Sequence, residues 1–250
     1  LRELKTDEGL MKLIGYGDIP DPDTAGDWTR RMGDLSQGQK GLSGLGSVRD
    51  ALNHRIMKRD GSAEYTLDAD AMGIYGEKAD ALYTYKGEKG YMPVAGFLYE
   101  LGICINDEFR DGNASPASGQ LEFYKQCRTL MPKGKRIGRY RADSASYQAG
   151  LINELEEDNV KWAITADMDK AVKELIASVY ESAWKEPETG CGYEIAESVH
   201  SMNQTKRAFR LVIKREVRKQ GEFFEDGRYF YHAVATNWPD EQKSALEVLK

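Results

Sequence analysis

The chain has 250 residues, 40% of them hydrophobic and 30% charged, with a formal net charge of −6. That size suits one large domain or a core with a smaller satellite. The acidic balance excludes a protein that coats DNA generically, because such binding rests on neutralising phosphates. A nucleic-acid enzyme stays open, since an acidic metal site adds negative charge while basic groups cluster locally.

Residues 1–60 read as polar and helical. Gly15, Gly17, Pro20 and Pro22 interrupt an early segment, and a helix is expected to begin near Asp27-Trp28. After a glycine-rich patch (38–46), Val48, Leu52 and Ile56 recur at helical spacing, with Arg49, Arg55, Lys58 and Arg59 on the other faces. This region is expected to pack beside a core, with its basic side available to DNA.

Glu64 to Ala71 alternates like a strand, with Tyr65, Leu67 and Ala69 on one face and Thr66, Asp68 and Asp70 on the other. Aspartate is depleted in strands, so two on one face need water, a cation or a partner. Tyr83 to Tyr91 is a glycine-punctuated loop rich in Tyr and Lys; it is read as a connection or as a contact for nucleic-acid bases and backbone. Met92–Tyr99 and Ile103–Phe109 follow as strands joined at Leu101-Gly102. Ser115 is expected to cap a helix with Pro116 at its first position. The basic stretch from Lys133 leads into a strand ending on Asp143, a second strand-terminal carboxylate. Carboxylates at the ends of neighbouring strands suit hard, oxygen-seeking cations.

Helices are expected over 147–158 and 171–184, with a strand at 160–166 between them. The order of elements points to an α/β fold, a mixed sheet covered by helices. Residues 187–192 read as a linker, and 193–217 alternate at period two. Phe209, Leu211, Ile213 and Val217 mark one face; Arg210, Lys214 and Arg218 mark the other. With Lys206 and Arg207 they form a candidate phosphate-tracking surface, equally readable as a solvated sheet face. A hairpin turn at 222–228, a strand at 229–236 and a helix start at Asn237 to Asp240 complete the chain.

Cys104, Cys127 and Cys191 have no paired spacing and fit a reducing cytosol, and His54, His200 and His232 stand alone. The longest apolar run, 92–105, contains Glu100 and is too short to span a bilayer. A cytoplasmic protein is therefore expected, without a membrane partner, and the start at Leu1 points to a fragment.

Leu67-Asp68-Ala69-Asp70-Ala71, residues 85–93 (YKGEKGYMP), 110–116 (RDGNASP), 140–144 (YRADS) and Val234-Ala235-Thr236-Asn237 together resemble, in order, the DDE transposases of bacterial insertion sequences. The resemblance implies an RNase H-like catalytic core (61–186), a β-rich insertion (187–236) and the start of a helix (237–250). It implies double-stranded DNA as partner, as transposon ends and target, and a homodimer in the active complex. It also implies two magnesium ions, with manganese as substitute, held by Asp, Asp and Glu about 3.5–4 Å apart across an in-line displacement. Asp143 matches the second acid; Asp70 is preferred for the first, with Asp68 as ligand or support. Met72 stands where the family commonly has Thr, and Ala145-Ser146 replaces a usual Gly-Phe. Glu241 and Glu247 lack the Tyr and Arg that accompany the family's third acid, so this chain is expected to lack that acid and to be inactive. The alternatives are a DNA-binding remnant without chemistry and a metal-dependent phosphohydrolase with a closed pocket.

Overall fold

The computed structural model describes every residue except 1–2, 16–17, 35, 37–39, 219–227 and 250. It divides into two compact units, Leu1–Ile56 and Met57–Lys250. The first is helical, with α1 (Glu8–Ile14), α2 (Pro22–Met32) and α3 (Lys40–Arg59), whose last turn enters the second unit. α2 begins five residues before Asp27, because Asp21 caps it and Pro22 takes the first helical position. Gly15, at φ 68°, ends α1.

An eight-stranded mixed sheet organises the second unit. Its first strand, β1 (Glu64–Ala71), lies between β5 (Val94–Leu98) and β7 (Arg136–Ala142). β5 runs antiparallel to β1, and β6 (Ile103–Glu108) antiparallel to β5. On the other side β7 and then β8 (Lys161–Thr165) run parallel to β1. This is the α/β mixed sheet with flanking helices that the sequence led us to expect. The β-rich segment continues the same sheet: β11 (Tyr229–Thr236) pairs antiparallel with β8, followed by β10 (Phe209–Val217) and β9 (Tyr193–His200).

Period-two alternation decides what is buried. Tyr65, Leu67 and Ala69 enter a core with Phe123, Tyr124 and Cys127 of α4 (Gln120–Thr129) and Leu151, Ile152 and Leu155 of α5 (Ala149–Glu157). α6 (Lys170–Ser178) adds Val172 and Ile176 to the same core. A smaller cluster of Ile195, Val212, Val234 and Val248 lies under α7 (Ala245–Leu249). β10 thus buries residues on both faces, which a simple alternation of one apolar and one basic face does not anticipate.

Several local expectations shift. The loop at 83–91 belongs to a small sheet of β2 (Ile74–Tyr75), β4 (Lys89–Tyr91) and β3 (Leu82–Tyr83). Ser115 and Pro116 form a turn, and α4 starts after Gly119, whose φ of 68° precedes the helix. The helix expected over 171–184 ends at Ser178, followed by a short 3₁₀ turn at Glu181–Ala183. Pro239 and Asp240 lie in a turn before α7. The hairpin at 222–228 falls, apart from Arg228, outside the described residues. Among the described residues no helix is long and apolar enough to cross a membrane.

Candidate active site

β1 and β7 face each other across a parallel ladder whose solvent side carries charges in matched rungs. Glu64 pairs with Arg136, the Nε to Oε1 distance being 2.8 Å. Next, Arg139 donates to the Thr66 hydroxyl at 2.8 Å and to Glu100 at 2.9 Å, while Glu100 also accepts from the Thr66 amide and hydroxyl. Arg141 then grips Asp68 with two hydrogen bonds of 2.9 and 2.6 Å. It also lies over the Tyr99 ring, 4.6 Å from its centroid. Bidentate geometry of this kind fixes a carboxylate's orientation.

One rung further on, the pattern reverses. The register ends Asp68↔Arg141, Ala69↔Ala142; Asp70 and Asp143 are the next residue on each side, close enough for the Asp70 charge to act on Asp143. Two carboxylates thus stand where the preceding rungs pair acid with base. Like charges opposite each other on neighbouring strands destabilise a sheet. Among the described residues Asp70 has no hydrogen-bond or ion-pair partner, and it is exposed. Asp143 is also exposed but is held: one oxygen accepts from the Ala145 amide at 3.0 Å, capping the 3₁₀ turn Ser144–Ser146. Burial and then the Asp70 charge push the Asp143 carboxyl above the usual carboxylate range, against the lowering effect of the Ala145 amide.

The structure therefore brings Asp70 and Asp143 together and separates Asp68 from them by its commitment to Arg141. Both carboxylates are hard oxygen donors with unfilled lone pairs, a fit to part of a divalent cation's ligand set. Among the described residues no three His, Cys, Asp or Glu side chains converge as a metal-holding group. Glu247 accepts from the Ser244 amide and hydroxyl at 2.8 and 2.7 Å, on a helix packed against β9, β10 and β11. Sequence reasoning passed over Asp167. It follows the end of β8 as Asp143 follows β7, and it lines one cleft with Asp143. Its signal was the same: a carboxylate just beyond an apolar strand.

The wall of that cleft is pinned by Gly112. A Cβ there would stand 2.2 Å from the Leu82 carbonyl oxygen and 2.3 Å from that of Gly90, so only glycine lets the 110–119 loop meet the small sheet. Arg110, buried against Glu108 and the Ser118 carbonyl, fixes the rest of the loop.

The basic candidates lie elsewhere and are engaged. Lys206 pairs with Glu157, and Arg207 with Glu156 at 3.8 Å, beside the last turn of α5. Arg210 binds Glu197 at 2.6 Å, Asp240 at 2.9 Å and the carbonyls of Trp238 and Lys243. Lys214 meets Glu216 at 2.7 Å and lies over Tyr193; Arg218 donates to the Tyr229 carbonyl at 3.2 Å. Arg215, which by sequence counts among the basic residues of this stretch, is in phase with the buried residues of β10 and not with its basic face. It is buried between Trp184 and Tyr229 and ion-paired to Glu181 and Glu194.

Comparison with known proteins places these features in context. The family described as transposase DDE domain group 1 matches residues 29–248. A solved piggyBac transposase synaptic complex with hairpin DNA aligns at 13% identity and a TM-score of 0.41, covering 72% of this chain and 34% of that one. The chain thus spans about a third of that protein's length. No curated protein matches it.

Proposed function

We propose that this chain, which belongs to the transposase DDE domain group 1 family, acts in metal-dependent cleavage and transfer of DNA strands at the ends of an insertion sequence. The observation that carries the reading is the unmatched rung, Asp70 beside Asp143, at the end of a ladder otherwise made of opposite charges. A fold that neutralises Glu64, Glu100 and Asp68 with arginines leaves these two carboxylates free to take up positive charge from outside.

Asp70 and Asp143 would hold magnesium, or manganese in its place. When bound, such ions activate the attacking hydroxyl or water and stabilise the leaving oxygen at phosphorus. Asp143 is positioned by its amide hydrogen bond, and Asp70 by the pairing of β1 with β5, where it lies opposite Ala95. Arg141 supports the site by holding Asp68 away from the cation, so that Asp68 keeps the strand in register. The family's third acid is not among the residues brought together here; on this reading the chain supplies two ligands of the set and is inactive alone. Duplex DNA, as transposon end and target, is the partner. Lys206 and Arg207, whose side chains are 68% and 77% exposed, track its backbone away from the reacting phosphate. The setting is cytoplasmic, and the active complex is a homodimer.

Thermal unfolding with and without magnesium tests the ligand pair without requiring turnover. A cation that relieves the Asp70–Asp143 repulsion stabilises the folded chain by about 1.4 kcal/mol at roughly ten times its dissociation constant. Asp70→Asn and Asp143→Asn should each abolish that response while leaving the metal-free midpoint unchanged or higher. Asp68→Asn should keep the response and lower the midpoint, because it strands Arg141. An Asp143→Asn chain that answers magnesium as the parent does would overturn the assignment. A DNA-binding remnant without chemistry predicts no magnesium response in the parent.

A further inference from the structure

The small sheet β2–β4 and the turns after β7 and β8 enclose a cleft of about 580 Å³. Tyr83, Thr84 and Tyr85 line one side; Asn113 to Ala117 and Asp143 to Ala145 line the other, with Asp167 at the margin. That volume suits a single small ligand. A duplex, whose major groove alone is about 12 Å wide, does not fit.

Three features of this cleft are not explained by the fold. Tyr83 and Tyr85 are 65% and 67% exposed, large rings on a short hairpin with little to pack against. Each carries an ammonium group close to its face: Lys89 lies 5.6 Å from the Tyr83 centroid and Lys86 5.7 Å from that of Tyr85. Between them Thr84 is buried, and its hydroxyl has no hydrogen-bond partner. Its backbone is satisfied, with the amide donating to Glu88 O at 2.8 Å and the carbonyl accepting from Gly87 N at 2.9 Å. Buried hydroxyls are normally paired, so an orphan beside a cleft marks the place of an absent partner.

Building on the strand-transfer reading, we propose that this cleft holds an unpaired nucleotide of single-stranded DNA next to the acid pair. Its base stacks on Tyr85 or Tyr83, the Thr84 hydroxyl bonds the base edge, and its flanking phosphates lie toward Lys86 and Lys89. A base is the part that can approach Asp143 and Asp167, because it is neutral, whereas a phosphate there would be repelled. Stacking on aromatic faces with cations alongside is how single strands are held without sequence preference. The pairing of a small cleft with an exposed aromatic pair separates this site from the duplex contacts assigned to Lys206 and Arg207.

The test uses the 250-residue chain in EDTA, so that neither metal nor cleavage enters, and a ten-nucleotide oligo-dT carrying one 2-aminopurine. Binding is followed by anisotropy and base stacking by quenching of the 2-aminopurine. Tyr85→Ala combined with Tyr83→Ala should weaken binding roughly 5- to 100-fold and abolish the quenching. The double Tyr→Phe variant should retain both. Thr84→Val should weaken binding several-fold, and Thr84→Ser should restore it. Circular dichroism confirms the fold of each variant, and both tyrosines are exposed enough to be replaced. Unchanged affinity and quenching in the double alanine variant would overturn the proposal, as would parental binding without quenching. Because no metal is present, such a failure leaves the Asp70–Asp143 assignment to its own test.

Discussion

The two halves of the sheet treat charge in opposite ways. In the half built from β6, β5, β1, β7 and β8, carboxylates are matched rung by rung until Asp70 and Asp143, which are left together. In the half built from β11, β10 and β9, every basic residue of β10 has a partner: Arg210 with Glu197 and Asp240, Lys214 with Glu216, Arg215 with Glu181 and Glu194. The acidic half keeps an electrostatic deficit at one place, and the basic half keeps none on its central strand. Unpaired charge, rather than charge density, distinguishes a site from a surface: the most basic stretch of sequence supplies the best-neutralised strand.

Arg215 gives the sharpest way to break this contrast. Its side chain is 4% exposed and its guanidinium lies 4.3 Å from the Trp184 centroid and 4.4 Å from that of Tyr229. Removing it takes away two stacking contacts and the ion pairs it makes with Glu194 and Glu181. Arg215→Ala should destabilise the chain by about 2 kcal/mol in denaturant titration, mostly through the lost stacking, because the acids it leaves are exposed. Arg215→Lys should recover only part, since a lysine cannot stack on both rings or hold Glu181 bidentately while also bonding Glu194. If Arg215→Ala costs less than about 0.5 kcal/mol and instead weakens DNA binding, β10 is a DNA-facing strand and the comparison fails.

Lys206 and Arg207 test the same contrast from the binding side. Their ion pairs are solvent-exposed, and such pairs are worth little to stability, so a phosphate can displace Glu157 and Glu156. The double variant Lys206→Ala, Arg207→Ala should bind duplex DNA about tenfold more weakly at low salt. Its affinity should depend less steeply on salt, by nearly two units of log–log slope. The unfolding midpoint should hardly move. Arg210→Ala, whose side chain is only 13% exposed, should do the reverse.

The sequence made the acid pair legible because a strand with two aspartates on one face is rare enough to ask for an explanation, and Asp143 ended a second such strand. It preferred Asp70 to Asp68 only for its place nearer the strand's end. That Arg141 lies opposite Asp68 and engages it is a fact of register between strands seventy residues apart. The start of α4 was misread because Ser115-Pro116 satisfies every local rule for a helix cap, while Arg110 holds the neighbouring Ser118 carbonyl in a turn. β2 and β3 are two residues each and leave no periodicity to read. That β9–β11 continue the core sheet rests on the pairing of Val234 with Thr165, which no local pattern encodes. Arg215 looked like one more surface base, although its phase with Leu211 and Ile213 already placed it on the buried face.

The smallest effect concerns Glu100, the acid of β1's surroundings that is paired as fully as Asp70 is not. Burial pushes its carboxyl up, but hydrogen bonds from the Thr66 hydroxyl and amide and from Arg139 outweigh burial and leave it below the usual range. A depressed folded-state pKa means that the ionised form is favoured by folding, so its stabilisation is present above the unfolded value of about 4.3. It is lost as pH falls from there through the lower folded value. Glu100→Gln should therefore cost about 1 kcal/mol near neutrality, a modest figure because the side chain stays 30% exposed. The deficit relative to the parent should shrink as unfolding is measured at successively lower pH below about 4.3. The same series on Asp70→Asn should show no such neutral-pH cost, because Asp70 has no partner to lose. If both variants lose stability alike at pH 7, the distinction between a matched and an unmatched rung is not an energetic one.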